Sequence, residues 1–400
     1  MIEIRRLRAE DMPAYRRLAT VVYNMRRDFS KEESGQNLSH PPEWTRGVFE
    51  GGRLVSAMTE IEFLMRFDGQ SVPMIGVGGV GTLPEARKGG HVRAMFEKFL
   101  PEAYEKGVIF SNLHPFSFDF YRKFGYELAQ SRNEITIPAG EFSHNKLRGR
   151  FTQVFPGDDT SALNEIHKNY IADLNHGICR DHWPENRAWK RFTQGDPYAE
   201  GVFLYLWRDE AGNDSGYIQY EDKFEDGDHI MYVWELAFTD RDALHGVLSI
   251  VSGLAAQFEN FRWLMPTFLD PSDFIDEVNE LEQTIIPRDM TRVINVKAAL
   301  EKMRRPGGEG RYVIAVNDEM IPANSGRYLV EFASNESRVT RTQRKADISC
   351  DIPTLSQLVT GCRSLENALR TRRSRLVVHE NIETLKRVFT ARPQHLTEFF

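Results

Sequence analysis

The glycine-rich stretch Gly76–Arg93 constrains the fold of this 400-residue chain more than any other part of the sequence. The run Val72–Thr82 has strand-like composition, and the segment Gly90–Lys106 carries apolar residues at helical spacing. The pattern therefore predicts a strand, a glycine turn and an amphipathic helix in succession. Glycine at such a turn lets backbone N–H groups approach an anionic ligand closely.

Two kinds of anion site compete for this stretch. Gly76, Gly78 and Gly81 satisfy the G-x-G-x-x-G pattern of dinucleotide-binding folds, in which the third glycine begins the helix. Here Thr82-Leu83-Pro84 follows the third glycine and extends the chain rather than coiling it. The position expected for the acidic residue that binds the ribose lies inside the next helix. The dinucleotide interpretation is therefore weak.

A pyrophosphate site fits the segment Arg87-Lys88-Gly89-Gly90-His91-Val92 better. Its glycines stand between the predicted strand and helix, the helix N-terminus adds its dipole, and Arg87 and Lys88 add positive charge. This arrangement does not depend on the Walker spacing. The alternative is a glycine turn with two solvated cations, and the segment alone does not decide between them.

A second motif, Phe120-Tyr121-Arg122-Lys123-Phe124-Gly125-Tyr126, follows the first along the chain. An R-x-x-G segment after a strand and then F-Y-x-x-F-G-Y closely resembles the GCN5-related N-acetyltransferase (GNAT) superfamily. The resemblance implies that the first motif binds the pyrophosphate of acetyl-CoA and that Tyr121 protonates the leaving CoA thiolate, for which a phenol is a suitable acid. Tyr126 is the competing candidate, but the family pattern makes it a packing residue. For either tyrosine the alternative is a core aromatic residue whose hydroxyl reaches the surface.

Length and composition indicate several folded domains. At about 150 residues per domain the chain holds two to three, and 41% hydrophobic with 27% charged residues is typical of a globular protein. Strand and helix patterns end near residue 138, begin again near residue 151 and begin a third time near residue 288. The second part repeats the order of the first, which suggests an internal duplication. The third part is predicted to begin with a strand at Val293–Val296 and a helix at Ala298–Met303.

This plan is similar to that of the Eis (enhanced intracellular survival) acetyltransferases over the whole length of the chain. The resemblance implies an α/β fold with mixed sheets. Its parts are an N-terminal GNAT acetyltransferase domain at 1–145, a central degenerate GNAT-like domain at 146–288 and a sterol-carrier-protein-like domain at 289–400. No glycine-rich pyrophosphate loop occurs between Phe151 and Pro287, in agreement with a degenerate second domain. A homo-oligomer, a hexamer in this family, is implied by the resemblance alone.

The chain ends in two phenylalanines, Phe399 and Phe400. Chain ends are usually frayed, but exposure of both rings to water would be unfavourable. The family resemblance implies that the terminal α-carboxylate of Phe400 enters the first domain's active site and acts as the base for the amine. A free α-carboxyl has a pKa of about 3.5 and is a weak base, so desolvation or a bridging water would have to assist it.

The family's contacts with acetyl-CoA carry over by position. The residues that would hydrogen-bond the pantetheine arm along the strand edge are Val80, Gly81 and Thr82. The residues that would wrap the pyrophosphate, with Arg87 at the flank, are Lys88, Gly89, Gly90, His91, Val92 and Arg93. Phe116 and Ser117 would contact the acetyl end. His114 is a candidate for facing the acceptor pocket, with a packed or solvated histidine as an equal alternative. No His/Cys/Asp cluster has metal-ligand spacing, so no metal is expected.

The leading hypothesis is an acetyl-CoA-dependent N-acetyltransferase that acts on a small-molecule primary amine by direct transfer. Backbone N–H groups of residues 80–82 would polarise the thioester carbonyl. The family's acceptors are polycations, namely aminoglycosides, polyamines and lysine side chains. A net charge of −7 is compatible with them. Asp28 and Glu33 are candidates for lining the acceptor cleft, with solvated loop carboxylates as the alternative.

The competing class is a non-catalytic lipid or small-ligand binding protein that uses the C-terminal domain. The acyl-CoA loop together with Tyr121 argues against it. The excess of acidic residues argues against nucleic acid, and the basic run 370–375 is interpreted as a solvated face. Cys179, Cys350 and Cys362 form no C-x-x-C pair, the N-terminus lacks the apolar region of a signal peptide, and no apolar stretch is long enough to span a membrane. A cytoplasmic protein without membrane contact is therefore expected.

Overall fold

The computed structural model describes residues 2–24, 41–142, 149–182, 201–333, 336–371 and 376–400. Within these residues the strands form two sheets. In the larger sheet the strands, β1 to β12 in chain order, are Ile2–Arg6, Thr45–Glu50, Arg53–Phe67, Gln70–Thr82, Phe110–Leu113, Glu127–Pro138, Gly149–Gln153, Val202–Asp209, Asp214–Glu225, Asp228–Phe238, Asn260–Pro266 and Glu282–Val293. In the smaller sheet, β13 to β17 are Glu309–Asn317, Gly326–Ala333, Glu336–Arg341, Ile348–Asp351 and Val377–Val378. The helices α1 to α9 are Met12–Val22, His91–Glu105, Phe118–Arg122, Ser161–Tyr170, Arg241–Gly253, Val296–Lys302, Ile352–Thr360, Leu365–Thr371 and Ile382–Val388.

The first unit is built on β1 to β5, which lie side by side in chain order. β4 pairs antiparallel with β3 and parallel with β5, and α2 is the crossover between the two parallel strands. Met95, Phe96 and Phe99 recur on one face of α2 and are fully buried against the sheet. The predicted strand, glycine turn and helix are therefore present in that order.

The central unit repeats this arrangement. β10 pairs antiparallel with β9 and parallel with β11, and α5 makes the crossover between the parallel strands. The predicted duplication is thus confirmed as a duplication of fold. The two helix starts differ, however. The carboxylate of Asp240 accepts from the Ala243 N–H at 2.9 Å and closes the N-terminus of α5, whereas Gly90 leaves the first turn of α2 without a side-chain cap.

The two units exchange strands where they meet. The strand order in this part of the sheet is β5-β12-β6-β11, so the last strand of the second unit pairs with β5 of the first. Conversely, β6, which follows the first unit's α3, pairs with β11 of the second unit. One continuous sheet therefore runs through both units. The predicted boundary between residues 288 and 289 falls within β12.

In the third unit, helices pack on the smaller sheet, whose strand order is β15-β14-β13-β16-β17. Its Leu355 and Leu358 share one buried cluster with Phe63 and Phe110 of the first unit, so the two units have a common core. Of the predicted strand Val293–Val296 only Val293 lies in a strand, as the last residue of β12. The Asn295 side chain accepts from the Ala298 N–H at 3.0 Å and starts α6 at Val296. No helix among the described residues is long and apolar enough to cross a membrane.

Candidate active site

A β-bulge in β4 lies at the centre of the candidate site. Ala57 pairs with Gly81 and Thr59 pairs with Gly78, so β4 has one residue more than β3 between these pairs. Gly79 takes up the bend with a φ of +57°, and a Cβ at this position would lie 2.8 Å from the Tyr15 hydroxyl. A bulge changes the direction in which the backbone groups around it point.

The pairing between β4 and β5 ends just before this bulge. Their parallel pairing covers only Met74–Val77 with Phe110–Leu113, and β5 ends there whereas β4 continues to Thr82. In the described part of the chain, no strand pairs with the outer edge of β4 after Val77. An unpaired edge of this kind can hydrogen-bond an extended ligand. The predicted pantetheine contacts Val80, Gly81 and Thr82 lie on it.

The loop between β4 and α2 leads into a helix N-terminus that no side chain caps. Lys88 has a φ of +66° and Gly90 a φ of +77°, and α2 begins at His91 directly after them. Consecutive N–H groups in such a loop point toward one side, and the first turn of the helix adds free donors and a positive dipole end. The exposed side chains of Arg87 and Lys88 add charge at the same place. The geometry suits a pyrophosphate.

The predicted pyrophosphate contacts differ in what their side chains can do. The His91 imidazole is 5% exposed and its Nε2 lies 3.3 Å from Glu50 Oε1, so only its backbone N–H is available to a ligand. Val92 is half-buried against the core of the first unit. Arg93 is exposed, with Nη1 3.4 Å from Glu97 Oε1.

Tyr121 lies on α3, the short helix after β5, and its ring is buried among aromatic residues. Ser117 caps this helix by accepting from the Phe120 N–H at 3.3 Å, and Phe116 is 72% exposed with its ring centroid 5.4 Å from that of Tyr121. Ser117 thus positions the helix that carries Tyr121. Burial is the main cause that raises the pKa of Tyr121, so its hydroxyl keeps its proton at neutral pH.

Two further tyrosines, Tyr23 and Tyr126, also raise the pKa of Tyr121. Tyr23 donates its hydroxyl proton to the Val80 carbonyl at 3.1 Å and is close enough to contribute to the raised pKa of Tyr121. Tyr126 is fully buried, and its hydroxyl is 2.7 Å from the Ser111 hydroxyl. A buried hydroxyl with a partner of this kind is a packing feature.

The C-terminal tail, residues 393–400, is held against the first unit. The Leu396 N–H donates to Gln130 Oε1 at 2.9 Å, and the Leu396 carbonyl accepts from Gln130 Nε2 at 3.0 Å and from Arg132 Nη2 at 2.9 Å. Gln130 and Arg132 both lie on β6. These side-chain bonds to the backbone fix the path of the tail.

The tail ends on β4. The Phe400 ring packs on Phe63 and His114, with centroid distances of 5.2 and 4.9 Å. A Cβ on Gly76 would lie 2.8 Å from this ring, and a Cβ on Gly78 would lie 2.6 Å from the carboxyl carbon of Phe400. Two of the three glycines of the apparent dinucleotide pattern, Gly76 and Gly78, therefore make room for the chain terminus. The two terminal rings differ in exposure, since Phe400 is half-buried and Phe399 is 77% exposed.

His114 connects the tail to a carboxylate of the sheet. Its Nε2–H donates to the Glu398 carbonyl at 2.9 Å, its Nδ1 lies 2.5 Å from Asp289 Oδ1, and its ring stacks on Phe399 at 4.7 Å. Asp289 lies at an irregularity in the register between β12 and β6. No local pattern in the sequence indicates Asp289, Gln130 or Arg132, because these residues come together only through the strand exchange.

Comparison with known proteins agrees with this architecture. Family models described as an acetyltransferase (GNAT) domain match residues 3–129 and 178–293, and a sterol carrier protein domain model matches residues 296–397. The chain is 23% identical to the N-acetyltransferase Eis of Mycobacterium tuberculosis over 354 residues, which covers 83% of each chain. The chain is an Eis-type GNAT acetyltransferase. An uncharacterized N-acetyltransferase of Streptomyces griseus is 24% identical to this Eis-type chain, and the alignment covers 80% of each of the two chains.

Solved structures share the fold of this Eis-type enzyme. A GCN5-related N-acetyltransferase from Anabaena variabilis superposes with a TM-score of 0.87 at 20% identity, and Eis1 from Mycobacterium abscessus with 0.80 at 19%. Both comparisons cover 100% of each chain. The predicted family and the predicted fold class, tandem GNAT folds with a sterol-carrier-like domain, are confirmed.

Some predicted residues fall outside the described part of the Eis-type chain. These are Asp28, Glu33 and residues 372–375 of the basic run. In the residues that the structure describes, no group of three or more His, Cys, Asp or Glu side chains is placed to hold a metal ion. The individual roles of the site residues remain predictions.

Three buried histidines near the tail should make the stability of this enzyme depend on pH. Burial lowers the pKa of His176 to about 4 and the pKa values of His167 and His395 well below the usual value. In acid the unfolded chain therefore binds protons first, and the folded state loses stability as pH falls from 7.5 toward 4. At pH 5.5 each histidine should cost about 1 kcal/mol.

Urea unfolding at pH 7.5 and 5.5 measures this loss. The variant His176→Asn should show a loss smaller by about 1 kcal/mol, since asparagine tolerates the φ of +72° at this position and does not titrate. The control His379→Asn changes an exposed histidine and should leave the loss unaltered. Equal losses in all three proteins would contradict the prediction.

Proposed function

We propose that this enzyme transfers the acetyl group of acetyl-CoA directly to a primary amine in the opening between β4 and β5. The open edge of β4 would hold the pantetheine arm, and the loop before α2 would hold the pyrophosphate. Backbone N–H groups at the bulge would polarise the thioester carbonyl. The observation that carries the proposal is the Phe400 carboxyl group placed over Gly78, beside this edge.

The chemistry requires one acid and one base. The amine nitrogen attacks the thioester carbon, a C–N bond forms, and the C–S bond breaks with its electron pair leaving on sulfur. Tyr121 would supply a proton to this thiolate, since its phenol is protonated at neutral pH. The amine proton would pass to the Phe400 carboxylate, directly or through a water. The Phe63 and His114 rings around Phe400 support this role, because partial desolvation makes a carboxylate a stronger base.

The acceptor class is proposed from the family and from charge. Aminoglycosides, polyamines and lysine side chains are all polycations, and a net charge of −7 favours their approach. Asp28 and Glu33 remain candidates for the acceptor cleft. By the same resemblance we propose a cytoplasmic homo-oligomer, a hexamer, and the division into domains at 1–145, 146–288 and 289–400. The non-catalytic carrier is not favoured, because such a protein needs neither an acyl-CoA loop nor an acid.

The activity is tested by incubating the full chain with acetyl-CoA and either spermine or kanamycin and measuring free thiol. Release of thiol that depends on the amine is expected. No release across a panel of primary amines would contradict the proposal.

Extending the chain beyond Phe400 tests the terminal base. One added residue replaces the carboxylate by an amide and moves the new carboxylate about 3.5 Å away. We expect turnover to be abolished, while acetyl-CoA binding, measured by calorimetry, stays nearly unchanged. The matched control is an extension of the same length before Met1. Full activity of the C-terminally extended enzyme would exclude the terminal carboxylate from the reaction.

A further inference from the structure

A buried arginine of the central unit holds the tail two residues before its end. Arg180 is 6% exposed, and its Nε donates to Glu398 Oε1 at 2.9 Å. Its two terminal nitrogens donate to the two carboxylate oxygens of Glu235, each at 2.8 Å. Glu235 also accepts from the Tyr217 hydroxyl. One guanidinium therefore bridges a carboxylate of the central unit and a carboxylate of the tail.

The bridge occupies the place that corresponds to the active site in the first unit. β10 and β11 pair in parallel only over Ile230–Val233 with Asn260–Trp263, as β4 and β5 pair over four residues. The register of β10 is then irregular between Val233 and Glu235, as β4 is bulged between Gly78 and Gly81. Glu235 thus stands where the first unit has its catalytic bulge. The degenerate unit fills this position with an ion pair.

The charged groups of this bridge are stabilised by one another rather than by solvent. Burial opposes the charged form of Arg180, but Glu235 and Glu398 raise its pKa well above the usual value. Burial alone would raise the pKa of Glu235, but the charge of Arg180 acts in the opposite direction and the pKa is lowered. His167, whose Nε2 is 4.0 Å from Glu398 Oε1, is kept neutral because burial lowers its pKa. A bidentate arginine in such surroundings has one strongly preferred geometry.

Glu398 is anchored from two sides. Its carboxylate binds Arg180 of the central unit, and its carbonyl accepts from His114 of the first unit. Two extended residues span about 7 Å, so the position of Glu398 limits where the Phe400 carboxylate can lie. A displacement of about 1 Å in a reacting group is enough to lower a rate about 100-fold.

We propose that Arg180 is a positioning residue: the central unit uses it to hold Glu398 and thereby keeps the terminal carboxylate over β4. The proposal rests on the proposed function, in which that carboxylate is the base. It gives the degenerate unit a part in the reaction without contact with either substrate.

Glu398→Gln is the primary test, because Arg180 keeps Glu235 as a partner and the fold is preserved. We expect kcat for spermine acetylation to fall about 10-fold, with the KM for acetyl-CoA changed less than two-fold. Arg180→Ala should reduce kcat further. Arg180→Lys should recover part of that loss, because lysine keeps the positive charge but cannot bind a carboxylate through two nitrogens. Arg208→Ala is the control, because Arg208 pairs with Asp214 in the same unit and not with the tail. It should leave kcat unchanged.

The same substitutions are then made in a chain that lacks Phe400. If Arg180 acts through the terminal carboxylate, Glu398→Gln should have no further effect on the residual kcat of that chain. An equal fold-loss with and without Phe400, or a lower melting temperature with unchanged kcat, would overturn the inference. Full activity of the chain without Phe400 would instead contradict the proposed function. The two failures are therefore distinguishable.

Discussion

Replacing Tyr121 with phenylalanine is expected to lower kcat about 100- to 1,000-fold, which is the usual contribution of a positioned general acid. The substitution removes one oxygen from a buried ring and keeps the aromatic packing with Phe96 and Phe120. Acetyl-CoA binding should therefore persist. Stopped-flow or steady-state thiol release gives kcat, and calorimetry gives the affinity for acetyl-CoA.

Tyr126→Phe is the matched control for this substitution. It removes the hydroxyl that lies 2.7 Å from the Ser111 hydroxyl and should cost about 1 to 2 kcal/mol of stability with little change in kcat. A large loss of kcat in Tyr126→Phe together with an active Tyr121→Phe enzyme would assign the acid to Tyr126 instead.

Gly78→Ala should have the second-largest effect, because it adds a methyl group where the chain terminus lies. The new Cβ would stand 2.6 Å from the Phe400 carboxyl carbon, well inside contact distance, so the tail has to move. We expect kcat to fall about 100-fold, toward the value of the chain without Phe400. The measurement is kcat with and without Phe400 in both the wild-type and the Gly78→Ala background.

Gly140→Ala serves as the control for the added methyl group, since a Cβ at Gly140 meets no atom within 4 Å. It should leave kcat unchanged. If Gly78→Ala weakened acetyl-CoA binding and left kcat intact, the role of Gly78 would lie in binding the cofactor and not in seating the terminus.

Local patterns in the sequence predicted much of the fold around the candidate site. The apolar spacing of α2 and the glycines before it are contiguous features, so they can be read from a short window. The Tyr121 motif is equally local. Together these two motifs indicate the family, and the family in turn predicts the tandem arrangement and the role of Phe400.

Contacts between distant segments could not be predicted in this way. Gln130 and Arg132 meet the tail, and Asp289 meets His114, only because β6 and β12 change places between the units. Arg180 is isolated in the sequence, and nothing near it suggests that it binds residue 398. Gly76 and Gly78 follow a known motif but serve a different purpose, because the space beside them is taken by Phe400 and not by a dinucleotide.

The exchange of β6 and β12 also affects how the chain acquires its structure during synthesis. When a ribosome has released residues 1–145, β5 still lacks its neighbour β12, and β6 lacks both of its partners. The sheet of the first unit therefore keeps unpaired edges until about 150 more residues have been synthesised. We therefore expect the acetyltransferase unit and its degenerate copy to become native together, and neither to fold when it is produced without the other.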